Sequence, residues 1–109
     1  MRDIPAKNIE DAVAGLCGQA NLRLPGDVER AIRRAEETEP WPGAKEALGI
    51  LGENLRIAGE KGLPICQDTG LACVFAEIGQ DAHITGDFEA AVNAGVRRGY
   101  GDGYLRKSV

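Results

Sequence analysis

The sequence predicts an α+β fold in which helices come first, followed by a strand region resembling a β-hairpin and one further helix. Three observations support this prediction. Apolar residues recur at helical spacing through residues 1–62, proline and glycine separate these stretches, and a run rich in strand-forming residues lies between Gly70 and Gly79. With 109 residues in all, we expect one segment, helical over 1–62 and mixed α/β over 63–109.

The first two helices are predicted from their apolar faces and their ends. The first helix has apolar residues on one face at Ile9, Val13, Leu16 and Ala20. Asn8, followed by Asp11 three positions later, resembles a capping box, and Asn21 is the expected end. The second helix should open at Pro25 and Asp27 and end in the acidic stretch 36–39, where glutamates oppose the helix dipole.

The third helix is predicted to begin after the break at 40–43, with Pro42 in its first turn, and to end at Gly62. Glycines at positions 49, 52 and 59 interrupt this helix. Each would weaken an exposed helix by roughly 1 kcal/mol relative to alanine, so we expect another backbone to pack closely there.

After Pro64 the pattern changes to strand-forming residues. The run from Leu71 to Ile78 predicts a strand, and a turn at 80–81 followed by an extended piece at 83–85 would complete a hairpin. Asp87 is expected to cap the last helix, and the sequence Gly-Tyr-Gly-Asp-Gly-Tyr at 99–104 predicts a turn.

Composition and charge exclude several classes of protein. There are 13 Lys and Arg against 17 Asp and Glu, a net charge of −4, which argues against a nucleic-acid module. No apolar run approaches the roughly 20 residues of a membrane span, and residues 1–11 lack the apolar core of a secretory leader. An odd number of cysteines, 3, excludes a fully paired disulfide framework and fits the reducing cytoplasm. Only 5% of residues are aromatic while 15 are glycine, so we expect packing against a partner.

The heptapeptide at 64–70, Pro-Ile-Cys-Gln-Asp-Thr-Gly, is the most unusual stretch of the chain. It places a thiol, an amide, a carboxylate and a hydroxyl side by side between a proline and a glycine. The thiolate of Cys66 could be a nucleophile or a soft metal ligand. Residue types alone leave open the alternative of a polar loop containing a small buried cysteine.

Other candidate residues have simpler interpretations. Cys17 lies beside the apolar face of the first helix and Cys73 lies within the predicted strand, so both are expected to be packing residues. His83 is the single histidine and is expected to be structural. Arg106 could clamp a carboxylate through two hydrogen bonds or could simply be an exposed arginine.

The heptapeptide resembles the signature of the iron–sulfur hydro-lyases, which include class I fumarate hydratases and the α subunit of L(+)-tartrate dehydratase. Three later stretches, at 83–88, 95–100 and 104–109, resemble the same family in the same order, and the pairs at 20–21, 24–25 and 27–28 fit its N-terminal helices. The resemblance thus covers nearly the whole chain. It implies that the chain is the N-terminal part of an α subunit, incomplete relative to the family.

The resemblance also implies a cofactor and roles for individual residues. Family members hold a [4Fe–4S] cluster by three thiolates, of which Cys66 would supply one, while the other two ligands would lie outside this chain. Gln67 and Asp68 would face the substrate or its hydroxyl group, with Asp68 as the catalytic residue, and Arg106 would bind a substrate carboxylate. The general base would belong to a β subunit or a C-terminal domain.

The implied reaction is the reversible hydration of fumarate to L-malate, a step of the tricarboxylic acid cycle, in an assembly that is homo-oligomeric. Alternatives are an L(+)-tartrate dehydratase α subunit or a non-catalytic interaction module that retains the fold. A redox-sensing thiol at Cys66 is a weaker alternative, because no second cysteine is near it in sequence. Since one thiolate binds a cluster weakly, the isolated chain is expected to be inactive.

Overall fold

The computed structural model describes residues 1–107 and confirms an α+β fold. Ser108 and Val109, the last two positions of the stretch 104–109, lie outside the described residues. The elements in chain order are β1 (Arg2–Pro5), α1 (Ala6–Leu22), α2 (Gly26–Thr38), α3 (Pro42–Lys61), β2 (Ala82–Thr85) and α4 (Phe88–Asp102). Within residues 1–107, no helix has both the length and the apolar character needed to cross a bilayer.

The chain divides into two compact units. The first unit comprises Met1–Gln19 together with the chain from Gln67 onward, and the second comprises Ala20–Cys66. The heptapeptide at 64–70 therefore begins in the second unit and continues into the first.

The second unit is built on α2 and α3, whose predicted ends are confirmed. Helix α2 begins directly after Pro25, and α3 has Pro42 in its first turn, where proline lacks only an N–H that would have no helical partner. Gly62 ends α3 in the left-handed conformation, with φ of 64°, and its N–H donates to the carbonyl oxygen of Ala58.

Among residues 1–107, no other backbone packs against the glycines of α3, so the described chain does not meet that expectation. A Cβ atom at Gly52 would meet nothing within 4 Å. At Gly49 it would lie 3.1 Å from the side chain of Glu36, and at Gly59 it would lie 3.9 Å from that of Arg23. These neighbours are the ends of flexible side chains, so they do not require glycine.

The predicted hairpin in the first unit is also wrong. Strand β2 pairs in parallel with β1, in a register that joins Ile4 with Ile84. Residues 71–79, predicted to contain a strand, have no regular secondary structure and are all exposed. No described backbone segment lies beside residues 71–79 as a pairing partner, so their strand propensity is not satisfied within the described chain.

Helix α4 begins as predicted and continues further than predicted. The Asp87 carboxylate accepts a hydrogen bond from the N–H of Ala90 at 2.9 Å, which confirms the cap. The helix runs through Gly99 to Asp102, so the turn predicted to start at Gly99 is wrong. The turn comes later, where Tyr104 adopts a φ of 53°.

Two buried glycines bring α4 against α1. A Cβ atom at Gly95 would lie 2.6 Å from the carbonyl oxygen of Glu10, and one at Gly99 would lie 2.7 Å from that of Ala14. Contacts this close leave no room for a side chain. Both positions of α4 therefore require glycine, because the neighbouring backbone occupies the space.

The cysteines near this packing differ from each other. Cys17 is half-buried in α1, and a Cβ atom added at Gly99 would lie 2.8 Å from the Cβ atom of Cys17. Burial raises the pKa of the Cys17 thiol, in keeping with a packing residue. Cys73 is exposed, so the prediction that it packs inside a strand is wrong.

An ion-pair group also connects α4 to α1. The Arg98 guanidinium donates to the Glu10 carboxylate at 2.7 Å and to the Asp11 carboxylate at 2.6 Å. Its hydrogen bond to Asp11, with help from Lys7, holds the pKa of that carboxyl below its usual 3.8.

We expect Arg98→Gln to lower the urea midpoint of unfolding at about pH 7, and the loss to shrink as the pH falls below 3.8, the ordinary pKa of this carboxyl. A carboxyl group whose pKa is lowered by folding contributes stability at pH values above its unfolded-state pKa. This contribution disappears as the pH falls through its lower, folded-state pKa. Urea titrations of both proteins across this range measure it. Arg33→Gln, which removes an exposed ion pair within α2, is the control and should have a smaller effect. A midpoint difference independent of pH would contradict the assignment.

Candidate functional site

The first three residues of the heptapeptide belong to the second unit. The Asn54 side-chain amide donates to the carbonyl oxygen of Ile65 at 2.8 Å, and the N–H of Ile65 donates to the carbonyl oxygen of Asn21 at 2.8 Å. Both backbone groups of the residue before Cys66 are thus held by α1 and α3. Cys66 follows directly and is exposed.

Past Cys66, the heptapeptide makes a tight turn in the first unit. The N–H of Gly70 donates to Oδ1 of Asp68 at 3.1 Å, a local bond that fixes the direction of the carboxylate. Gly70 has a φ of 65°, a conformation that glycine adopts without steric cost. Gln67 and Asp68 are both exposed.

Thr69 joins this turn to the end of α4. It is the single buried polar residue among those described, with 8% of its surface exposed. Its hydroxyl donates to the carbonyl oxygen of Arg106 at 3.2 Å, and the Tyr100 hydroxyl donates to the carbonyl oxygen of Thr69 at 3.2 Å. Burial raises the pKa of Tyr100 and so further favours the protonated hydroxyl that donates this hydrogen bond. These two hydrogen bonds connect the turn of the heptapeptide with the C-terminal end of α4 and with Arg106 beyond it.

A cleft of about 380 Å³ lies next to this junction in the first unit. The residues that line it are Gly70, Leu71, Ala72, Val96, Arg97, Tyr100, Arg106 and Lys107. Three of them carry positive charge and none carries negative charge. In a chain with a net charge of −4, this local excess of positive charge favours an anionic ligand.

The structure thus brings Arg106 to the cleft that begins at Gly70, whereas Gln67 and Asp68 of the same unit are exposed and do not line it. Cys66 belongs to the second unit and is also exposed. Sequence reasoning missed Arg97, Tyr100 and Lys107. Arg97 and Tyr100 are three positions apart on α4 and therefore share a helix face, a signal present in the stretch 95–100. His83 lies in β2 with Nδ1 at 3.3 Å from the Asp3 carboxylate, in keeping with a structural role.

The described residues do not fit a [4Fe–4S] cluster on their own. No group of three His, Cys, Asp or Glu side chains among residues 1–107 is arranged to hold a metal ion. The half-buried Cys17 has a thiol whose pKa is raised by burial, which disfavours the thiolate that iron requires. Exposed Cys66 has suitable chemistry for one ligand of such a cluster, and further ligands would have to come from outside the chain.

Comparison with known proteins gives a consistent result. The family model described as fumarate hydratase (fumerase) matches residues 10–109. The chain is 40% identical over 73 residues to a Methanocaldococcus jannaschii protein provisionally named L(+)-tartrate dehydratase subunit alpha, a match covering 67% of this chain and 26% of that protein. It is 36% identical over 66 residues to a Geobacillus stearothermophilus protein provisionally named fumarate hydratase class I, covering 60% of this chain and 13% of that protein.

The chain therefore spans about a quarter of the length of the first relative and about an eighth of the second. The match to the family model nevertheless extends over nearly all of the chain and includes the heptapeptide, the turn at Gly70, helix α4 and Arg106. On this match, the chain belongs to the fumarate hydratase (fumerase) family.

Proposed function

We propose that this chain forms part of a [4Fe–4S]-dependent hydro-lyase that interconverts fumarate and L-malate by reversible hydration. The observation that carries the proposal is the hydrogen-bonded junction at Thr69, which attaches the heptapeptide to a positively charged cleft. Family membership supports the reaction class. The cleft supports a substrate with carboxylate groups, because guanidinium groups bind carboxylates through paired hydrogen bonds.

In this proposal the chain binds and orients the substrate. Arg106 holds one substrate carboxylate, and Arg97 and Lys107 add positive charge at the same cleft. Gln67 and Asp68 are exposed just before Gly70 and do not line the cleft, so in this proposal they face the part of the substrate, or its hydroxyl group, that projects from it. The Asp68 carboxylate, directed by its bond from the N–H of Gly70, takes part in proton transfer.

The cluster is assigned to the complete assembly, with Cys66 as one of three thiolate ligands. When bound, it would supply Lewis-acid chemistry toward the hydroxyl group. We propose that the other ligands and the general base come from a β subunit or a C-terminal domain, that the assembly is homo-oligomeric, and that it is cytoplasmic. The subunit name of the M. jannaschii relative supports a two-subunit enzyme.

L(+)-tartrate dehydration is the second candidate reaction, favoured by the 40% identity to the M. jannaschii protein. The two hydroxy acids differ by one hydroxyl group, and a site built to hydrogen-bond a hydroxyl can discriminate by about 10⁴-fold. The complete enzyme with its β subunit should be assayed on L-malate and L(+)-tartrate. A higher kcat/KM for malate supports the fumarate reaction. A higher kcat/KM for tartrate makes L(+)-tartrate dehydration the function instead, and activity on neither substrate excludes both candidate reactions.

We expect the isolated chain to be inactive after anaerobic treatment with iron and sulfide, because a single thiolate ligand does not retain a cluster. Fumarate hydration is followed by the loss of fumarate absorbance, with the complete enzyme as a positive control. Turnover above background by the isolated chain would contradict this expectation.

We expect Arg106→Ala in the complete enzyme to lower kcat/KM about 10- to 100-fold, mainly through KM, since hydrogen bonds to charged groups contribute about 1.5–3 kcal/mol. Steady-state kinetics on the preferred substrate measure the effect. Arg34→Ala is the matched control, because Arg34 is an exposed arginine on α2. Equal losses of kcat/KM in both variants would show that Arg106 does not bind the substrate.

A further inference from the structure

We propose that the exposed apolar segment, residues 71–79, is a docking strand that pairs with a β-strand from the remainder of the α subunit. The remainder is defined as the part of the subunit that corresponds to the relatives' sequence beyond the region matched here. This proposal concerns assembly and does not depend on which reaction the enzyme catalyses.

The first observation is the chemistry of the segment. It contains the strand-forming run Leu-Ala-Cys-Val-Phe-Ala-Glu-Ile, yet it has no regular secondary structure and all its residues are exposed. Phe75 is 94% exposed and Leu71 is 70% exposed. Large apolar side chains clustered in this way are typical of interaction sites in stable proteins.

The second observation is that the exposed segment is apolar on both faces. Val74 and Ile78 are 44% and 54% exposed, less than Leu71 and Phe75 on the alternate positions. Val74 and Ile78 also line an apolar groove of about 330 Å³. Strands that are apolar on both faces are typical of sheets covered on both sides. Phe75 also lines this groove, yet Phe75 and Leu71 keep most of their surface exposed. These two side chains, together with a backbone that pairs with no described strand, are left for a partner.

The third observation is the extent of unburied surface. Four of the large apolar side chains that are exposed among residues 1–107 lie in this one segment: Leu71, Val74, Phe75 and Ile78. Among residues 1–107, no large side chain is fully buried, so the core is completed by something outside the described residues.

The occupant follows from the length of the relatives. The matched region is 26% of the M. jannaschii protein, so almost three-quarters of that protein lies outside it. A polypeptide of that size can cover the exposed apolar side chains of residues 71–79. Addition of its strand to the backbone of residues 71–79 would provide hydrogen bonds together with contacts to Leu71 and Phe75.

The test compares the isolated chain with a chimera in which this chain replaces the matching stretch of the M. jannaschii subunit. We expect amide hydrogen exchange of residues 71–79 to be fast in the isolated chain and at least about 100-fold slower in the chimera at alternate amides. Amides of α2 and α3 serve as the internal control. Exchange that is equally fast in both proteins would overturn the proposal. Protection that grows with concentration of the isolated chain would identify a second copy as the occupant and would also overturn it.

A second measurement applies if the chimera does not fold. The separately produced remainder of the M. jannaschii subunit is titrated onto this chain, and we expect Phe75→Lys to weaken binding at least about 10-fold. Ile50→Lys is the matched control, because Ile50 is a large apolar residue on α3 that is 63% exposed. Absence of binding, or equal weakening by both variants, would overturn the proposal.

Discussion

Replacement of Cys66 by serine in the complete enzyme should abolish the cluster absorbance and lower activity at least about 100-fold. Mutation of residues that merely support metal ligands costs about 10- to 100-fold in affinity or activity, and removal of a ligand should cost no less. Serine keeps the size of the side chain but replaces a soft thiolate with a hydroxyl that is a poor ligand for an iron–sulfur cluster. Cys66 is exposed, so the substitution leaves the packing of the chain intact.

Cys73→Ser is the matched control for this experiment. Cys73 is a thiol seven positions further along the chain. Cys73→Ser hardly changes the size of the side chain and leaves unchanged the backbone through which residues 71–79 would pair, so absorbance and activity should stay near those of the unmodified enzyme. The measurements are the visible absorbance of the anaerobically prepared protein and its rate of fumarate formation. If Cys66→Ser retained both, the enzyme assignment would fail and the non-catalytic interaction module would become the better description.

The second large effect is expected for Gly95→Ala, which should destabilise the full chain by about 2 kcal/mol or more and lower Tm by roughly 10 °C. A Cβ atom there would lie 2.6 Å from the carbonyl oxygen of Glu10 and 2.7 Å from Cβ of Val13. Neither atom belongs to the end of a flexible side chain. The new methyl group can therefore be accommodated only by moving α1 away from α4.

Gly52→Ala provides an opposite control. A Cβ atom at Gly52 in α3 meets nothing within 4 Å, so the substitution should stabilise the chain by about 0.5–1 kcal/mol through helix propensity alone. Thermal unfolding followed by circular dichroism measures both variants. A Tm for Gly95→Ala equal to or above that of the unmodified chain would show that α1 and α4 do not pack as described.

The candidate site was predictable to the extent that its residues are adjacent in sequence. The grouping of Cys66, Gln67 and Asp68 between a proline and a glycine was evident, and so was Arg106 as an arginine suited to a carboxylate. The contribution of Tyr100 was not, because its hydroxyl reaches a carbonyl oxygen 31 positions earlier in the chain. The positive charge of the cleft was likewise hidden, since Arg97 and Arg106 lie apart in sequence within an acidic chain.

The sequence by itself determined the helix boundaries that depend on nearby residues: Pro42 at the start of α3, Gly62 at its end, and Asp87 at the start of α4. Each acts on backbone groups within about four positions, so local chemistry is sufficient. Tertiary structure decided the rest. It paired Ile4 with Ile84 in parallel strands and placed the backbone of α1 against Gly95 and Gly99. Residues 71–79 stayed unpaired despite their strand propensity, because strand formation requires a neighbouring backbone that residues 1–107 do not supply there.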